Sequence, residues 1–156
     1  MKPQSIIQAG RLDWFTQRRR REEVGADVER IASLAVDCGF RIHERLGPGL
    51  LESVYEAVLA QGLARHGLSV ERQKPIPIRF DGLVIEEGFR ADLLVEGTLL
   101  IELKCAERFA PVHGKQLLTY LRLMDLPLGL LMNFGAATFR EGIRRVVNGY
   151  EAHAPL

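Results

Sequence analysis

The apolar positions of the chain change their period twice, and each change marks a change of element. From about Ala26 to Leu46, Val28, Ile31, Leu34, Ala35, Cys38 and Ile42 recur at three- and four-residue spacing, which predicts an amphipathic helix. Gly47-Pro48-Gly49 breaks it. A second helix is expected from Leu51 to His66, with Leu51, Val54, Val58, Leu59 and Leu63 as its stripe and Gly67 just past its end. Strand texture follows. Ile76 to Phe80 runs into Asp81-Gly82, a strong hairpin signal, and Leu83 to Glu87 returns. A second hairpin spans Arg90 to Lys104 around Gly97-Thr98. Pro111 can open a third helix over Val112 to Met124, with Leu117, Leu118, Leu121 and Met124 inward. Leu128 to Phe134 is almost wholly apolar, as a strand covered on both faces should be, and Ile143 to Val147 reads as a last, edge strand. Residues 1–23 are polar and basic without a period and read as a loosely ordered extension, in which Trp14 and Phe15 dock locally. The domain then occupies 24–150, with 151–156 a tail. The order α-α-β-β-β-β-α-β-β predicts an α/β fold, a central mixed β-sheet flanked by helices.

Three ionisable side chains interrupt the second hairpin. Asp92, Glu102 and Lys104 lie in strands that otherwise look buried. Charges there are costly unless they are paired or hold a metal. Alternation puts Glu102 and Lys104 on one face. If the loop is Glu96-Gly97-Thr98, Asp92 stands opposite Glu102; a two-residue loop sends the two acids to opposite faces. Gly97 can supply the left-handed residue of a three-residue loop, so the longer loop and a clustered site are expected. Two carboxylates suit a hard cation such as Mg²⁺, and a lysine beside it can orient a water and steady charge on a phosphate. That chemistry is metal-assisted phosphodiester hydrolysis. An ion pair spanning a half-exposed hairpin fits the same three residues.

Composition adds boundaries. With 156 residues and 47% hydrophobic content, one domain with a full core is expected. The net charge of +1 announces no nucleic-acid partner, although Arg18 to Arg21 form a basic run. Cys38 and Cys105 lie far apart with no CxxC spacing, which points to reduced thiols in a cytoplasmic protein. No stretch is apolar for the length of a membrane span, and the amino terminus lacks a secretory h-region.

Other polar residues are placed by the predicted helices. Gln116 and Tyr120, four apart, point the same way on the third helix and can flank the acids. Glu52 and Tyr55 share a face at the start of the second helix; Glu52 is explained by the helix dipole but can also reach a metal or its waters. Tyr55 also fits a core residue with a satisfied hydroxyl. His113 lies one turn before Gln116, and His66 suits its helix end.

Asp92, then Glu102-x-Lys104, then Gln116-x-x-x-Tyr120 resembles the PD-(D/E)XK nuclease superfamily and its RecB-like exonuclease branch. Gly47-Pro48-Gly49-Leu50-Leu51-Glu52-Ser53-Val54-Tyr55 and the Arg90-Ala91-Asp92 stretch look like the small GxxxExxY proteins, with Pro48 standing four residues before Glu52 and Ala91 where the superfamily name has proline. The resemblance covers about Ala26 to Gly149. It implies a restriction-endonuclease-like core in which Asp92, Glu102, Glu52 and the Leu103 carbonyl hold Mg²⁺ or Mn²⁺. Lys104 then acts on the attacking water, with Glu52, Gln116 and Tyr120 in support and Tyr55 and Lys115 on the substrate. DNA is the implied partner. A non-catalytic nucleic-acid or protein-binding module on the same fold, and a homodimer paired through the edge strand at 143–147, are the competing expectations.

Overall fold

The computed structural model describes residues 14–149. Helix α1 runs over Trp14–Leu46, so it starts well before the expected Ala26. Residues 14–23 are therefore helix rather than loose extension. Arginine, glutamine and glutamate are good helix formers, and Arg18 pairs with Glu22 one turn on at 2.9 Å, so this run needs no apolar stripe. The expectations for residues 1–13, for the tail at 151–156 and for how the Trp14 and Phe15 side chains dock lie outside what is described.

Helix α2 (Glu52–Arg65) is followed by strands β1 (Val70–Phe80), β2 (Leu83–Val95) and β3 (Leu99–Lys104), helix α3 (Pro111–Met124), strand β4 (Leu128–Asn133), the short helix α4 (Phe139–Gly142) and strand β5 (Ile143–Val147). This is the expected order, with the strand that begins at Leu83 continuing unbroken into the acidic hairpin and one extra helical turn before β5. β1 starts at Val70, six residues earlier than the apolar pattern predicts. The α2 stripe is also shifted: Tyr55, Leu59 and Leu63 are buried, while Leu51 precedes the helix as its N-cap and is 73% exposed.

The five strands lie in the order β1-β2-β3-β4-β5. Only β3 and β4 are parallel; the other neighbours are antiparallel, which makes the sheet mixed. Helices α1 and α2 cover one face, burying Leu93, Val95, Ile101 and Leu103. Helix α3 covers the other through Leu117 and Leu121 against Leu94, Leu100 and Leu131. It lies so close that a Cβ on Gly129 would meet Leu117 at 2.9 Å, which explains a glycine in the middle of β4. All six residues of β4 are buried, as its continuous apolar run predicts.

β5 forms one sheet edge and carries Arg144 and Arg145, the latter paired with Glu29 of α1. Arginines on an edge oppose strand addition, and a homodimer built through this edge finds no support. No helix among the described residues is long and apolar enough to cross a membrane.

Candidate active site

The two β-turns of the sheet set the site. Asp81 and Gly82 both have positive φ (47° and 78°), the geometry of a two-residue hairpin turn. At the second turn Glu96 and Gly97 are both left-handed (52° and 64°), and the Thr98 N–H donates to the Val95 carbonyl at 3.0 Å. Gly97 adopts this conformation freely. Glu96 is held in it from outside: its N–H donates to the Ser69 carbonyl at 2.8 Å, and its carboxylate accepts the Ser69 N–H at 2.6 Å.

This turn pairs Val95 with Leu99, Leu94 with Leu100 and Leu93 with Ile101, the register of the three-residue loop. One step further, Asp92 faces Glu102. The carboxyl groups take over there from the backbone ladder. The Leu103 N–H donates to Asp92 Oδ2 at 2.8 Å, and the Asp92 N–H donates to Glu102 Oε1 at 3.3 Å. The acids thus sit at the point where β2 and β3 part, with Glu102 on the face that Leu100 turns toward α3. Lys104 follows on that face, half-buried.

Glu102 is only 8% exposed. Burial, then the Asp92 charge, then a hydrogen bond between the two carboxyl groups push its pKa up to about 9, with Lys104 opposing. Without a cation, Glu102 therefore keeps its proton at neutral pH. Glu52, exposed in the first turn of α2, is also raised, by partial burial and then by Asp92, while Lys104 lowers it. Helix α2 thus carries a third carboxylate into the same field. Among the described residues no three acidic, histidine or cysteine side chains close around one point, so Glu52 does not complete a cage with Asp92 and Glu102.

Helix α3 brings Tyr120 over the acids. Its ring stacks on Phe89 with centroids 3.8 Å apart, and its hydroxyl is raised by burial, then by Glu102 and Asp92. Gln116, one turn earlier on the same side of α3 as the four-residue spacing predicts, opposes that rise and is itself exposed. Lys115 is exposed on the same helix, and no described hydrogen bond or ion pair joins its side chain to the acids. His113 turns to its own helix start, where Nδ1 accepts the Ala110 N–H at 3.3 Å. His66 bonds the Gly62 carbonyl near its helix end at 2.9 Å, as expected.

Tyr55 does not face a substrate. It is fully buried, stacked on Phe134 at 4.6 Å. Its hydroxyl donates to the Gly47 carbonyl at 2.5 Å and accepts the Leu50 N–H at 3.2 Å. Tyr55 therefore fixes the Gly47-Pro48-Gly49 turn from which Glu52 is presented, the core role also considered for it.

Three contributors escape the sequence reading. Asn133, opposite Lys104 across the parallel pair, accepts the Ala106 and Gly135 N–H groups at 3.0 Å each and donates to the Ala106 carbonyl at 2.7 Å. It anchors the chain as it leaves the Lys104 end of β3. Gly135 lies so near that a Cβ there would stand 2.6 Å from the Ala106 carbonyl oxygen. Gln73 on β1 and Glu56 on α2 are the other two: Gln73 Nε2 donates to Glu56 Oε2 at 2.7 Å and to Asp92 Oδ1 at 3.1 Å. Glu56 was findable, four residues after Glu52 on the same helix face.

The donor set fits a hard divalent cation. Mg²⁺ takes one or two carboxylates and fills its remaining positions with carbonyl and water oxygens. Asp92 and Glu102 would supply the carboxylates. Extended backbone turns the N–H and C=O of one residue to the same strand edge, so the Leu103 carbonyl faces the side on which its N–H meets Asp92. A mixed sheet between helices, with two facing acids and a lysine where its central hairpin opens, defines a restriction-endonuclease-like fold. The family model described as the PD-(D/E)XK nuclease superfamily matches residues 29–146, and the chain belongs to that superfamily. No curated protein and no solved structure matched the chain.

Proposed function

We propose that the protein is a Mg²⁺- or Mn²⁺-dependent nuclease that hydrolyses DNA phosphodiester bonds, and that it belongs to the RecB-like branch near the GxxxExxY proteins. The observation that carries the proposal is the face-to-face pair Asp92 and Glu102, with Lys104 on the same strand face. The buried Glu102 carboxyl keeps its proton against the neighbouring Asp92 charge; a divalent cation bound between the two would replace that proton and remove the conflict. Asp92, Glu102 and the Leu103 carbonyl would hold the cation, with Glu52 reaching it through water. Bound there, the cation supplies Lewis acidity toward the scissile phosphate and a lowered pKa for water.

The protein side chains do the rest. The Lys104 ammonium hydrogen-bonds the attacking water and steadies charge as it gathers on the phosphate. Glu52, whose carboxylate binds protons more readily than an ordinary one, accepts a hydrogen bond from that water. Tyr120, oriented by Phe89 and Gln116, offers its hydroxyl to a phosphate oxygen beside the acids. The placement of Gln116 beside Tyr120 and the Tyr55-fixed turn carrying Glu52 support the finer family placement. Two free thiols, Cys38 and Cys105, support a reducing, cytoplasmic location.

Purified protein is expected to cut at least one of linear duplex, closed circular or single-stranded DNA with Mg²⁺ or Mn²⁺, and to stop when EDTA is added. Failure on all three substrates with both ions would overturn the proposal.

A further inference from the structure

Gln73 stands out in the backbone before its side chain is considered. It lies inside β1 with φ of 49°, in the left-handed region that non-glycine residues seldom occupy. The β1–β2 register is regular on both sides of it, Arg72 with Leu93 and Lys74 with Ala91, so Gln73 is the position facing Asp92. No turn requires this conformation there. Its consequence is that the amide reaches two anions at once, Glu56 at 2.7 Å and Asp92 at 3.1 Å. Only the NH₂ end can face two carboxylates, so the network fixes its orientation. Glu56 is itself 5% exposed and receives Arg72 Nε at 3.1 Å, which compensates its buried charge.

We propose that Gln73 is a positioning residue for Asp92, clamped by Glu56 and Arg72, and that it keeps the Asp92 carboxylate turned toward Glu102 for cation binding. The inference rests on the cation-dependent reading of the site. Asp92 accepts the Gln73 amide on Oδ1 and the Leu103 N–H on Oδ2. A carboxylate offers about four acceptor directions, so each oxygen keeps capacity for a cation while its plane is held. Donors that orient a metal-binding carboxylate commonly change affinity by about 10- to 100-fold when removed. The competing role is mechanical: Gln73 would merely staple β1 to α2 through Glu56.

Two variants separate these roles. Gln73→Met keeps length and volume but removes both hydrogen bonds, and leaves Glu56 its Arg72 partner. In the swap Glu56→Gln with Gln73→Glu, the new amide at position 56 donates to the new carboxylate at position 73, restoring the staple. That carboxylate then confronts Asp92 with no proton to give. Mn²⁺ binding by calorimetry and melting temperature are read on wild type and both variants. Gln73→Met is expected to bind Mn²⁺ at least about 10-fold more weakly. The swap is expected to regain melting temperature relative to Gln73→Met without regaining affinity. Wild-type affinity in Gln73→Met, or affinity recovered together with melting temperature in the swap, would overturn the inference and leave the nuclease reading standing. A wild type that binds no Mn²⁺ would overturn the cation-site reading and this inference with it.

Discussion

Lys104→Met is expected to lower kcat on DNA by about 10³-fold while leaving the Mn²⁺ affinity within a few-fold of wild type. A loss of that size corresponds to about 4 kcal/mol of transition-state stabilisation. It is attributed to Lys104 because this side chain shares the strand face of Glu102 and acts on both Glu102 and Glu52, yet an ammonium cannot ligate a cation. Methionine keeps the aliphatic stem of this half-buried side chain. Binding and catalysis should therefore part company in this variant, whereas Asp92→Asn should lose both. Single-turnover cleavage beside calorimetry reads the two quantities independently. Equal cleavage by wild type and Lys104→Met would remove the lysine from the chemistry.

The second large effect is on stability. The Glu102 pKa stands at about 9 in the fold against 4.5 for an ordinary glutamate. Between those values the folded chain holds a proton that the unfolded chain releases, so stability in EDTA is expected to fall as pH rises from about 4.5 to about 9. The limiting slope for one proton is about 1.4 kcal/mol per pH unit. Glu52 is raised as well and contributes in the same direction. Glu102→Gln should flatten the dependence, because an amide is uncharged at every pH in that window. Excess Mn²⁺ should reverse much of the loss, since the cation takes the place of the Glu102 proton, and its affinity should climb with pH over the same window. Urea melts at pH 6 and pH 8, with EDTA or with Mn²⁺, are the check. Equal slopes for wild type and Glu102→Gln in EDTA would mean that the buried pair is not what the fold pays for.

What the sequence discloses follows the apolar period. The α3 stripe, the buried β4 and both hairpins have strong alternation or turn residues, and their turns appear where Asp81-Gly82 and Gly97 place them. The decision between a two- and a three-residue loop was enough to bring Asp92 opposite Glu102. Where pattern is absent, tertiary context decides. Glu71, Arg72, Gln73, Lys74 and Pro75 alternate in nothing, and are strand only because β2 supplies partners. The arginine-rich start of α1 is helical through propensity and local ion pairing, without an apolar stripe. Side-chain direction is the other blind spot. Tyr55 and Glu52 lie in the same helical turn, yet one is sealed under the Gly47 turn and the other stands exposed in the field of Asp92. Nothing in the sequence marks Gln73, whose role depends on an unusual φ and on two elements converging from either side.

The central claim is that the Asp92 and Glu102 carboxyl groups grip a single hard cation. Crystals grown with Mn²⁺ and measured at its anomalous edge test it most directly. One ion is expected with oxygens of both side chains about 2.0–2.6 Å away. An occupied ion elsewhere on the molecule, with the hairpin acids still hydrogen-bonded to each other, would contradict the account.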